Sequence, residues 1–148
     1  MRNCIIAILL VLPATVHAAG QERFVSSLKL PTGQTVVVAE GDFEARSIGS
    51  FSVRLYDAAS PPDETTFFLS GLIHPRDGVL EKAILADLDD DQQPEIIVIS
   101  RSVGTGGYIS AYRFAYTKDK LLFQHAVEGL APDEDPIGVL RKPRNKYE

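Results

Sequence analysis

The sequence predicts an all-β protein, a single antiparallel β-sandwich domain with an exposed glycine-rich loop. Three observations point there. Apolar runs are short and separated by turn signals, several alternate apolar with polar residues, and no long helical pattern stands out. The 148 residues suffice for one domain with one core. No repeat of about 20–50 residues suggests a solenoid or propeller.

Residues 1–18 read as a secretory signal peptide. Arg2 supplies a positive start, residues 5–12 an apolar stretch, Pro13 a break, and Val16-His17-Ala18 the small residues of a cleavage site. Cys4 precedes the apolar stretch, which is the wrong place for a lipid-bearing cysteine. Cleavage after Ala18 leaves no cysteine, hence no disulfide and no thiol nucleophile. It also removes Arg2, leaving 14 basic against 20 acidic residues, a net charge of −6. That balance argues against nucleic acid, whose binding rests on Lys and Arg at phosphates, and suits a cationic protein partner. No later apolar run approaches the ~20 residues of a membrane span, so no membrane anchor is expected after cleavage.

The sandwich domain is assigned to residues 19–130. Runs 24–30 and 34–39 flank Pro31-Thr32-Gly33, a hairpin signal. Phe51, Val53 and Leu55 alternate with Ser52, Arg54 and Tyr56, as in a half-buried strand. Residues 58–64, with Pro61-Pro62, form a loop, and 65–73 a less cleanly patterned strand. His74-Pro75-Arg76-Asp77-Gly78 reads as a turn. The composition of 79–88 suits a helix, but strands on both sides favour a strand. Ile96-Ile97-Val98-Ile99 is a β-branched run consistent with a central strand buried on both faces. Tyr108, Ser110, Tyr112, Phe114 and Tyr116 share one face of a long strand, and Thr117-Lys118-Asp119-Lys120 turns it into 121–127. Residues 131–148, rich in Pro and charge, look like an irregular tail.

Two loops carry candidate chemistry. In the first, Asp87, Asp89 and Asp91 alternate and Glu95 follows, resembling oxygen-rich calcium loops. The pattern is defective: Gln92 stands where such a loop needs glycine, and Val98 where it needs a bidentate Glu. A calcium site and a solvated acidic turn both stay open, with the turn favoured. The second is Ser102-Val103-Gly104-Thr105-Gly106-Gly107-Tyr108. Its spacing is not that of a nucleotide-binding glycine fingerprint, and a strand pattern follows instead of a helix. It is either a hairpin whose tyrosine packs on a neighbouring strand or a rigid probe for a partner's cleft.

Catalysis finds little support. His74 and His125 are the only histidines after cleavage, and no Gly-x-Ser-x-Gly elbow is present. A small hydrolase using either histidine is the remotest reading. A secreted calcium-dependent module for cell-wall glycan, built on 87–95, is the nearer alternative.

The segment 42–56, Asp87-Leu88-Asp89-Asp90-Asp91, Pro94-Glu95-Ile96-Ile97-Val98 and Thr105-Gly106-Gly107-Tyr108, in that order, resemble the periplasmic inhibitors of invertebrate-type (i-type) lysozyme. The resemblance covers roughly residues 22 to 127. It implies a periplasmic β-sandwich protein of Gram-negative bacteria that is not an enzyme. It also implies that a Ser-Gly-x-Tyr loop enters the lysozyme active-site cleft. That motif falls on Thr105, Gly106 and Tyr108, with Thr in place of Ser. Threonine keeps the hydroxyl and adds a methyl group. Gly104, Gly107 and the second hydroxyl, Ser102, complete the expected partner-binding loop.

Overall fold

A computed structural model describes residues 22–141, so the expected signal peptide lies outside the described residues. Eight strands fall into two four-stranded antiparallel sheets. The first holds β1 (Val25–Lys29), β2 (Thr35–Glu40), β3 (Ile48–Tyr56) and β4 (Phe68–Asp77). The second holds β5 (Val79–Ala86), β6 (Glu95–Arg101), β7 (Ile109–Tyr116) and β8 (Leu121–Leu130). Each sheet is a meander in chain order, so every hydrogen-bonded pair of strands is also adjacent in sequence. All inter-strand loops consequently sit at one of two ends of the sandwich.

Period-two alternation builds the core between the sheets. Val36 and Val38, then Phe51, Val53 and Leu55, point inward from the first sheet; Ile96, Val98, Tyr112 and Phe114 meet them from the second. The intervening residues of β6, Ile97 and Ile99, face the other way and join Ala111 and Leu88 in a second cluster. That cluster is closed by Leu140 of a short helix, α1 (Pro136–Arg141). The continuous Ile-Ile-Val-Ile run follows from this arrangement: β6 is a central strand with a sheet over one face and a helix over the other.

Three expectations are corrected. The 131–148 segment is not wholly irregular. Asp135 accepts hydrogen bonds from the N–H groups of Ile137 at 3.1 Å and Gly138 at 3.0 Å, and Pro136 takes the first helical position. This is an N-cap with proline at N1, which starts a helix even among charged residues. The His74–Gly78 stretch is not a turn, because β4 runs through to Asp77. β4 is an edge strand, where the N–H that Pro75 lacks is least missed. The strand expected over 65–73 accordingly begins later and ends later. Residues 79–86 form a strand, the reading that the flanking strands favoured.

The chain changes sheets in a single residue, Gly78. Its φ of +79° belongs to the left-handed region that glycine adopts freely, and a Cβ there would overlap the Arg101 carbonyl. Its N–H donates to the Ser47 carbonyl at 2.8 Å. Beside it Arg76 is buried, at 2% exposure, yet well partnered. Its guanidinium donates to the carbonyls of Ser50 at 3.1 Å, Arg46 at 3.0 Å, Ala45 at 3.1 Å and Gly78. Glu40, also buried, ties the sheets together. Its carboxylate accepts from the Leu80 N–H at 2.7 Å and from Arg46 at 3.0 Å.

Candidate recognition loop

β6 ends at Arg101 and β7 begins at Ile109, leaving residues 102–108 as the connection. Main-chain hydrogen bonds shape it. The Ser102 N–H donates to the Tyr108 carbonyl at 2.9 Å and closes the neck. The Gly107 N–H donates to the Gly104 carbonyl at 3.1 Å, making a four-residue turn with Thr105 and Gly106 at its centre. The Arg101 guanidinium props this turn by donating to the Gly107 carbonyl at 3.0 Å. Arg101 is in turn held by Glu81 at 2.6 Å, an ion pair that raises the arginine's pKa.

The glycines have separate uses. Gly107 takes a φ of +55°, while a Cβ at Gly106 would overlap the Tyr108 ring, so the ring lies close against the Gly106 backbone. Gly104 has open space around it. Thr105 is exposed, and Tyr108 keeps 54% of its surface in solvent despite resting on Gly106. The six residues expected at the site therefore share one loop. Thr105 and Tyr108 present their side chains at its surface, while half-buried Ser102 serves at the neck.

The loop stands on a foundation that sequence reasoning did not identify. Gly78 abuts Arg101 and Ser102 on one side and bonds Ser47 on the other, linking the glycine loop to the 41–47 connection between β2 and β3. The strand register puts these loops at one end: Ile48 pairs with Asp77, Val79 with Arg101, and Arg101 with Ile109. In sequence, the only trace of this joint is a glycine after a charged dipeptide.

The acidic loop, 87–94, sits at the opposite end. Asp87, Asp89 and Glu95 bring carboxylate oxygens within 4.8 Å of one another, and Asp91, expected with them, stands outside the group. Most of their oxygens are committed internally, while Asp87 Oδ1 is buried without a partner among the described residues. Asp87 accepts from the Gln92 N–H at 2.9 Å, Asp91 from the Gln93 N–H at 2.7 Å, and Glu95 from the Leu88 N–H at 2.9 Å. From β7, the Arg113 guanidinium donates to Asp89 at 2.5 Å and to Glu95. Desolvation pushes the Asp89 pKa up, but the hydrogen bonds from Arg113 and with Glu95, together with the charge of Arg113, outweigh it. They hold Asp89 below its ordinary value of 3.8. Two of the three carboxylates are already paired with a guanidinium, whose positive charge opposes a cation there. His74 packs as an aromatic, with ring centroids 4.9 Å from Tyr112 and 4.6 Å from Phe123.

Comparison with known proteins places this geometry. The model of the family described as periplasmic lysozyme inhibitor of I-type lysozyme matches residues 22–144. One similar solved structure is the crystal structure of PliI-Ah, the periplasmic lysozyme inhibitor of I-type lysozyme from Aeromonas hydrophyla. It is 45% identical, with a TM-score of 0.75 over 79% of this chain and 98% of that one. Another is the Aeromonas hydrophila PliI in complex with Meretrix lusoria lysozyme, 45% identical, with a TM-score of 0.76 over 82% and 98% of the two chains. A comparison with curated protein sequences gives no match. The matched span takes in both sheets, the glycine loop and the capped helix, and on that span this chain belongs to the family of periplasmic inhibitors of I-type lysozyme.

Proposed function

We propose that this periplasmic protein inhibits i-type lysozyme by seating the 102–108 loop in the enzyme's active-site cleft. Thr105 and Tyr108 are the contacting side chains, and the protein performs no catalysis of its own. The observation that carries the reading is the loop's construction. Its shape rests on main-chain bonds and on Arg101, so both side chains are available to a partner.

The physical chemistry is that of occlusion. Lysozymes cleave with two carboxyl groups flanking the sugar bond. A threonine hydroxyl set beside them donates a hydrogen bond to a carboxylate and takes the place of substrate. Tyr108 adds a stiff aromatic body with a polar tip, the kind of anchor that dominates interfaces. Because the loop is pre-shaped, binding orders little that is not already ordered. The acidic balance of the chain raises the association rate with a basic enzyme. The Aeromonas hydrophila relative, solved in complex with Meretrix lusoria lysozyme, supports the choice of partner.

The test is titration of the purified protein against i-type, chicken-type and goose-type lysozymes. Inhibition of the i-type enzyme is expected. No inhibition of any of the three would end the reading, and inhibition of the chicken type alone would reassign its target.

A further inference from the structure

Phe43 has no role in the fold that accounts for its conformation. It is fully exposed, at 104%, and its backbone takes a φ of +60°. For a bulky aromatic residue that region is a genuine outlier. Burial returns nothing to offset the strain, because the ring touches solvent on all sides. Unrepaid strain in the free protein points to a bound state that uses the side chain.

The residues around Phe43 are held firmly. The Glu44 carboxylate accepts from the Ser50 N–H at 2.5 Å and the Ser50 hydroxyl at 2.7 Å, and faces Arg76 at 3.7 Å. Gly41 and Gly49 leave the room that this carboxylate fills. Arg23 donates to the Glu44 carbonyl, and Arg76 holds the carbonyls of Ala45 and Arg46. Phe43 is therefore displayed by a fixed loop.

Its position relates it to the recognition loop. Both loops lie at the same end and meet at Gly78, which bonds Ser47 on one side and abuts Arg101 and Ser102 on the other. Two more exposed apolar residues stand at this end, Ile48 at 68% and Val103 at 54%. A stable protein interface takes about 20–30 residues from each partner. The recognition loop offers far fewer, so a second contact surface is required beside it.

We infer that Phe43 is that second contact, an apolar anchor packing on the lysozyme surface beside the mouth of the cleft. This rests on the lysozyme reading of the 102–108 loop.

The experiment compares wild type, Phe43→Asn, Phe43→Tyr and Tyr108→Ala by inhibition constant against an i-type lysozyme and by thermal midpoint. Asparagine tolerates positive φ, so Phe43→Asn is expected to raise the midpoint by about 2–5 °C. It is also expected to raise the inhibition constant at least about tenfold. Phe43→Tyr keeps the ring and should inhibit like wild type. If wild type inhibits and Tyr108→Ala weakens it while Phe43→Asn does not, the Phe43 contact alone is overturned. If wild type does not inhibit, both readings fall. A change in sedimentation with inhibition unchanged would assign Phe43 to self-association and overturn the proposal.

Discussion

The two loops that flank β6 are built in opposite ways. In the 87–94 loop, side chains hold the backbone: Asp87, Asp91 and Glu95 each accept from a main-chain N–H, and Arg113 bridges Asp89 to Glu95. In the 102–108 loop main-chain bonds and one prop from outside it, Arg101, hold the backbone, and the loop's own side chains are left over. A loop with six polar or charged residues can thus be largely committed to its own backbone, while one with three glycines in seven residues leaves its side chains available. Abundance of functional groups in a sequence is a poor guide to which of them a partner can reach. What decides is whether the main chain needs them.

Breaking either loop should show this in different measurements. The largest effect is expected from Arg113→Ala. It leaves the buried Glu95 carboxylate without its cation, and should lower unfolding stability by about 3 kcal/mol. Inhibition by the folded fraction should be unchanged. Denaturant melts read beside inhibition assays check both halves of that statement. Tyr108→Ala should do the reverse. Inhibition should weaken by about 2 kcal/mol, roughly thirtyfold, while the melt stays put. A Tyr108 variant that unfolds the protein, or an Arg113 variant that spoils inhibition alone, would dissolve the distinction.

Acid should produce a smaller effect at the end that carries the glycine loop. The hydrogen bonds from the Ser50 N–H and hydroxyl hold the Glu44 carboxyl below its ordinary 4.5, aided by the charges of Arg76 and Arg23. A depressed carboxyl contributes stability that is present above its unfolded value and lost as pH falls through its folded one. The difference in melting midpoint between wild type and Glu44→Gln should therefore be constant near neutrality and shrink below pH 4.5. A gap that persists into acid would show that the carboxylate charge is not what fixes the 41–47 loop.

The smallest effect is expected from calcium. With Arg113 among the acidic side chains, millimolar calcium should shift the wild-type midpoint by less than about 1 °C. A clear rise would return the acidic loop to metal binding and remove the contrast between the two ends.

Much of this architecture was legible in the residues. The hairpin at Pro31-Thr32-Gly33, the alternation of Phe51, Val53 and Leu55, and the doubly buried β6 are local patterns, and a meander topology keeps strand partners local too. The glycine loop announced itself by composition. What stayed hidden depends on partners distant in sequence. Arg76 reads as a surface charge until the loop carbonyls of Ala45 and Arg46, some thirty residues earlier, fold around it. Arg113 gives no sign that it will meet Asp89 and Glu95 across a strand. Helix α1 was overlooked for another reason. Its Asp135-Pro136 start is a clear signal, but it opens only six helical residues in a charged setting.

The sorting of every connection to one of two ends has a practical corollary for handling the protein. Lys29, Lys118 and Lys120 lie at the end away from the recognition loop, and Lys82 lies within β5. Among the described residues these are the only primary amines on side chains, and neither 41–47 nor 102–108 carries one. Three of these four described amines lie at the far end, so coupling through those three would leave the end that carries 41–47 and 102–108 outward.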